Sequence, residues 1–180
     1  MTGKILPTLT DIKRGEEGAT SVVIDYYAPF TFEAPSGAGG SGLVFLTDEA
    51  DATGSTFVEL FVDLSSGRLC RAVLIGKPTI VTLPASTRSS RTKSENGVPV
   101  FDLTGLDRDA ALPELRLAKP LTLAMEADGF TILCDPSPPD QVVMCGRAQF
   151  RFAAKRLVGL GAKGLSGAEM AELRESLGVK

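Results

Sequence analysis

The residues of this chain best suited to chemistry are carboxylates, and Glu59 and Asp63 form the first pair to weigh. Four apart in a run of strand-forming residues, they project from one side of a strand, as the paired acids of a glycosidase must. Nothing near them in the sequence signals an environment that would raise a pKa, so a solvated or partner-facing sheet edge is the expected role. Composition removes the commonest alternatives. There is no His, which takes away the usual general base, the Ser–His–Asp triad and the commonest metal ligand. Cys70, Cys134 and Cys145 show no CxxC spacing and lie in apolar runs, where a thiol packs as a small hydrophobe. Gly159-x-Gly161-x-x-Gly164 has the letters of a dinucleotide fingerprint, but the chain ends before a βαβ unit could be completed, so these glycines read as a linker. The Gly37–Gly42 run lacks the Gly-Lys-Ser/Thr of a phosphate loop and reads as a flexible connection. No catalytic residue, metal or cofactor is expected, and the chain reads as a non-enzyme.

Charge is unevenly distributed. Lys and Arg number 19 against 22 Asp and Glu, a net charge of -3. Between Gly15 and Gly67, however, there is no base at all, and the acids are Glu16, Glu17, Asp25, Glu33, Asp48, Glu49, Asp51, Glu59 and Asp63. An acidic third is therefore joined to a mildly basic remainder. Such a field suits a docking face for a basic partner, because it raises association rates and orients the encounter. Nucleases are natural basic partners, since their clefts must attract phosphate. The expected contacts are Asp48, Glu49, Asp51, Glu59 and Asp63, with Phe57 and Phe61 as apolar anchors. The basic loop Arg88, Arg91, Lys93 carries too few charges and no aromatic residue for direct nucleic-acid binding. Arg147, Arg151, Lys155 and Arg156 read as the exposed face of a late strand.

The elements that must position these residues are mostly strands. With 180 residues, 18.9 kDa and 43% hydrophobic residues, the chain is long enough for one domain with its own core. Residues 21–34, 43–47, 56–63, 68–75, 78–83, 98–103, 121–127, 130–134 and 141–153 are rich in β-branched and aromatic residues. Leu64-Ser65-Ser66-Gly67 joins two of them as a hairpin, and Asp128-Gly129 predicts a type I′ turn between two others. In 141–153, Ala148, Phe150 and Phe152 alternate with Arg147, Gln149 and Arg151, predicting one core face and one solvent face. Near the end the period changes. Ser166 with Glu169 makes a capping box, Leu165 with Met170 a staple, and Met170, Leu173 and Leu177 recur at helical spacing before Gly178. That helix is expected to dock on its own sheet, or else to offer its apolar stripe to a second copy. The fold class is mainly β (α+β): an antiparallel β-sandwich or curved sheet over residues 1–160, with one C-terminal helix in 161–180. No run approaches the length of a membrane span, and the first residues do not resemble a signal peptide, so a cytoplasmic protein without membrane contact is expected.

The segment Phe57-Val58-Glu59-Leu60-Phe61-Val62-Asp63-Leu64-Ser65-Ser66-Gly67-Arg68-Leu69-Cys70-Arg71-Ala72-Val73, followed by Val98-Pro99-Val100-Phe101-Asp102-Leu103, resembles immunity proteins of bacterial polymorphic-toxin and contact-dependent growth-inhibition systems. The resemblance implies a cytoplasmic acidic inhibitor that binds one cognate toxin domain, often a nuclease, and blocks its substrate cleft without chemistry of its own. The alternative is a small binding or assembly module, such as a secretion chaperone or a phage or virion accessory protein. Such a module would self-associate through the C-terminal helix or a sheet edge.

Overall fold

The computed structural model describes residues 6–35, 40–82, 92–106, 110–111 and 113–179. In chain order the strands are β1 (Leu9–Lys13), β2 (Ser21–Val23), β3 (Phe30–Glu33), β4 (Ser41–Asp48), β5 (Phe57–Asp63), β6 (Leu69–Ile75), β7 (Thr79–Val81) and β8 (Lys93–Asn96). They continue as β9 (Val98–Phe101), β10 (Glu114–Lys119), β11 (Thr122–Met125), β12 (Gly129–Leu133), β13 (Gln141–Cys145), β14 (Ala148–Ala153) and β15 (Arg156–Lys163). Helix α1 (Gly167–Leu177) closes the chain.

The mainly β architecture expected from composition is what forms. A six-stranded sheet runs β10-β4-β5-β6-β3-β2, and a seven-stranded sheet runs β7-β11-β12-β15-β14-β13-β8. Both are antiparallel in the middle, with parallel pairs at the margins, β10 on β4, β7 on β11 and β8 on β13. Apolar residues at alternate positions need a partner surface, and the two sheets supply it to each other. Phe30 meets Phe130 and Phe32 meets Phe150, each pair edge to face at 5.3 Å, and all four rings are fully buried. The ribbon β1–β9 joins the same core through Leu9, Val98 and Phe101, the last packed on Phe152.

Several local expectations are corrected. Residues 141–153 are a hairpin and not one strand, because Gly146 takes a positive φ of 59° and turns β13 into β14. The Asp128-Gly129 turn is not type I′, since neither residue has positive φ; Met125 pairs with Phe130 around a longer turn. Gly129 is needed instead for close approach, as a Cβ there would stand 2.2 Å from the Ala162 carbonyl oxygen. The glycines read as a linker, Gly159 and Gly161, sit inside β15 at the centre of the seven-stranded sheet. Lys93, read as part of a polar loop, begins a strand, while Arg88 and Arg91 lie outside the described residues, as does the first half of the Gly37–Gly42 run, whose end opens β4.

The helix forms as its sequence signals. The Ser166 hydroxyl accepts from the Glu169 amide, the Glu169 carboxylate accepts from the Ser166 amide, and Gly178 caps the end at φ 71°. Met170, Leu173 and Leu177 are buried in the chain's own core, so the helix docks on its own sandwich and this stripe is not offered to a second copy. Arg147 ties the helix to the sandwich, donating to both oxygens of Glu169 and to the Val22 carbonyl. No helix among the described residues is long and apolar enough to cross a membrane.

Two carboxylates in this frame carry a pH dependence. Donation from the Ser166 backbone and from Arg147 holds Glu169 below its ordinary value, and donation from Lys93 and Arg14 does the same for Glu95. The unfolded chain therefore takes up protons first as pH falls. Stability is complete above the unfolded values, near 4.5, and is lost as pH drops through the folded ones. Thermal unfolding followed from pH 7 to about pH 3 should show a melting temperature that falls on the acid side; a flat or rising melting temperature would contradict this assignment.

Candidate functional site

A sandwich has two outer faces, and this one uses them differently. On the seven-stranded sheet, Gln149 and Arg151 belong to the side expected to face solvent, yet they are only 1% and 9% exposed. Both pair across to β15 at glycines, Gln149 with Gly161 and Arg151 with Gly159. With no side chains in the way, they cross that strand and join residues of the β11–β12 hairpin. Gln149 donates to Thr131 Oγ1 at 3.1 Å, Thr131 donates to Glu126 at 2.8 Å, and Arg151 pairs with Glu126 at 3.3 Å. Burial pulls the Arg151 guanidinium below its ordinary pKa and the Glu126 charge opposes that pull. This is a hydrogen-bonded structural layer with its charges opposed to one another.

The six-stranded sheet is different. Strand register sets its outer side chains in three rows. The first is Glu114, Leu43, Phe61, Arg71, Glu33; the second is Arg116, Phe45, Glu59, Val73, Thr31, Val23; the third is Ala118, Thr47, Phe57, Ile75. Leu43 and Val73 are buried among their neighbours, Phe45, Phe57, Phe61, Glu59 and Ile75 are half-buried, and the margins are exposed. The Arg116 guanidinium lies over the Phe45 ring at 4.2 Å, and that of Arg71 stands 5.7 Å from the Phe61 ring. Phe45 and Phe57 meet edge to face at 6.1 Å. Arg116 pairs with Glu114 at 3.1 Å and Arg71 with Glu33 at 3.4 Å. The β2–β3 turn, at the third-row end, adds the exposed rings of Tyr26 and Tyr27. The result is an aromatic strip bordered by guanidinium groups, the composition of a protein-contact surface.

Of the residues singled out in the sequence, Phe57, Glu59 and Phe61 come together here. The others do not. Asp48, Glu49 and Asp51 sit in the β4–β5 connection, and Asp63 lies at the far end of β5, roughly 20 Å away at the usual rise of a strand. Glu49 is exposed, and the carboxylates of the three aspartates are occupied locally. Asp48, 8% exposed, accepts from the amides of Ala50 and of Leu121, in the link from β10 to β11. Asp51 accepts from the Thr53 and Ser55 side chains and the Thr53 and Thr56 amides, donors that hold it well below the usual carboxylate range. The bulge beside Phe61 places its extra residue, Cys70, on β6, while β5 keeps its register on β4 as far as Asp63, at the start of the hairpin turn. At 2% exposure Asp63 caps that turn, accepting from the amides and hydroxyls of Ser65 and Ser66. Glu59 and Asp63 thus do not form the carboxylate pair a glycosidase needs.

Sequence reasoning missed Phe45, Arg71 and Arg116. They reach the face from β4, β6 and β10, and only register shows that they adjoin β5. A second, polar groove of about 550 Å³ runs along β1, but its Glu95 is already bound by Arg14, Lys93 and Gln141. Among the described residues no group of three or more His, Cys, Asp or Glu could hold a metal ion. Cys134 and Cys145 are buried, and burial pushes the Cys134 thiol up to about 12, while Cys70 is half-buried.

These placements separate structural from surface acids. Asp63→Ala should lower the unfolding free energy by about 2–3 kcal/mol, since several donors lose a charged acceptor, whereas Glu59→Ala should change it by less than ~0.5 kcal/mol. Urea unfolding of the two variants checks this, and equal losses would overturn it. No protein-family model and no curated protein matches this chain, so its function has to be read from the geometry of this face.

Proposed function

We propose that this chain is a non-catalytic binding protein that docks one partner protein on the outer face of its six-stranded sheet. In its most specific form it is an immunity protein that neutralises a cognate bacterial toxin domain in the cytoplasm by covering the toxin's substrate cleft. The observation that carries the binding reading is the half-buried strip of Phe45, Phe57 and Phe61, with Arg71 and Arg116 at its border and Glu59 at its centre. Aromatic and Arg side chains held in a paired sheet lose little freedom on binding, so their burial goes largely into affinity. The toxin and its class are supported by the resemblance of the β5–β6 hairpin and by the base-free stretch from Gly15 to Gly67.

The reading assigns the acids two functions. Asp48, Asp51 and Asp63 build turns, and with Glu49 they contribute to a long-range negative field that speeds encounter. The short-range contacts are Phe57, Glu59 and Phe61 with their three neighbours. The chain should be co-expressed with the product of the gene immediately upstream and resolved by size exclusion at low and high salt. A stoichiometric complex with a partner that is toxic alone is expected. Phe61→Ala should weaken it at least tenfold, about 1.4 kcal/mol or more, and salt should slow association more than it speeds release. A harmless neighbour, with this chain eluting alone, overturns the immunity reading.

A further inference from the structure

We propose that Glu59 is the single charged anchor of this face and that it takes a cationic side chain with an apolar stem, Arg or Lys, presented by the partner. The inference rests on the docking reading above and supplies the partner's chemistry. Glu59 holds the middle position of the face: Phe45 and Val73 flank it across the strands, and Phe57 and Phe61 lie two residues away on either side along β5. Glu59 is half-buried as a residue, yet among the described residues its carboxylate accepts no hydrogen bond and enters no ion pair. The other acids of the acidic span whose contacts are described are engaged: Glu33 pairs with Arg71, Glu16 pairs with Arg68, Asp25 accepts from the Tyr27 amide, and Asp48, Asp51 and Asp63 cap turns.

A partner that covers the face takes water from this carboxylate, and an anion covered without a counter-charge is costly, so the covering surface has to bring a cation to it. One carboxylate with no second ligand suits a guanidinium or ammonium group and not a metal ion. The apolar stem of such a side chain packs on Phe57 and Phe61, whose π faces attract the charge as well. Beside Phe61 a shallow recess of about 250 Å³, lined by Glu33, Ser41, Cys70 and Arg71, leaves room for a neighbouring apolar group of the partner.

The probe is n-butylguanidinium, titrated into the isolated chain and followed by amide and aromatic chemical shifts, with n-butyrate as the anionic control. Saturable shifts confined to Phe45, Phe57, Glu59, Phe61 and Val73 are expected, with a dissociation constant in the roughly millimolar range of an isolated contact. Glu59→Gln, and Glu59→Ala as a second variant, should weaken the response at least tenfold while unfolding at the wild-type temperature, and n-butyrate should give no shifts there. Shifts spread evenly over the exposed carboxylates, shifts that survive Glu59→Gln, or no response at all would each overturn the anchor. If the upstream product fails to bind while the Glu59-dependent response holds, the immunity reading falls and the anchor stands. A partner bound equally well by Glu59→Gln removes the anchor and leaves the docking reading intact.

Discussion

Two ring pairs, Phe30 on Phe130 and Phe32 on Phe150, hold the six-stranded sheet against the seven-stranded one, and everything outside the core follows from that contact. Because side chains alternate along a strand, committing Val58, Leu60 and Val62 to the interior commits Phe57, Glu59 and Phe61 to the exterior. A one-residue slip in β5 would exchange the two sets, exposing core residues and burying Glu59. The aromatic strip is thus the unavoidable other side of a strand that is apolar on both faces.

The two outer faces then differ by what β14 and β15 allow. Glycines in β15 let Gln149 and Arg151 lie across the seven-stranded sheet and meet Thr131 and Glu126, which converts a polar face into a buried, hydrogen-bonded layer. The six-stranded sheet has no such device at its centre. Its guanidinium groups sit on rings at the border, and its middle carboxylate, Glu59, has no hydrogen-bond or ion-pair partner among the described residues. The carboxylates in the turns serve the fold first: Asp51 and Asp63 tie down the connections at the two ends of β5, the strand that carries the strip.

How much of this was legible depended on the range of each interaction. The β5–β6 hairpin and α1 are visible because a Ser-Ser-Gly turn and a Ser166–Glu169 box act within a few residues. The burial of Gln149 and Arg151 was not, since it depends on glycines across a sheet and on Thr131 in a strand further off. The β10–β4 and β1–β9 pairings join segments far apart in sequence through short strands with little pattern of their own. At the site, Phe57, Glu59 and Phe61 were readable because a spacing of two is enough to place them on one face. Their neighbours Phe45, Arg71 and Arg116 needed the register of three other strands. The acids misled for a chemical reason. Asp two residues before a Thr or Ser, as at Asp51 and Asp63, serves equally as a turn cap and as a surface charge, and only the hydrogen bonds distinguish the two.

The central claim is that the outer face of the six-stranded sheet is where the partner sits. Hydroxyl-radical footprinting of the chain alone and in complex with its co-purified partner tests that most directly. Phe45, Phe57 and Phe61 should react in the free chain and be protected in the complex, while the buried Phe30 and Phe150 stay silent in both. Protection at the β1 groove or along α1, with those three rings unchanged, would contradict the account.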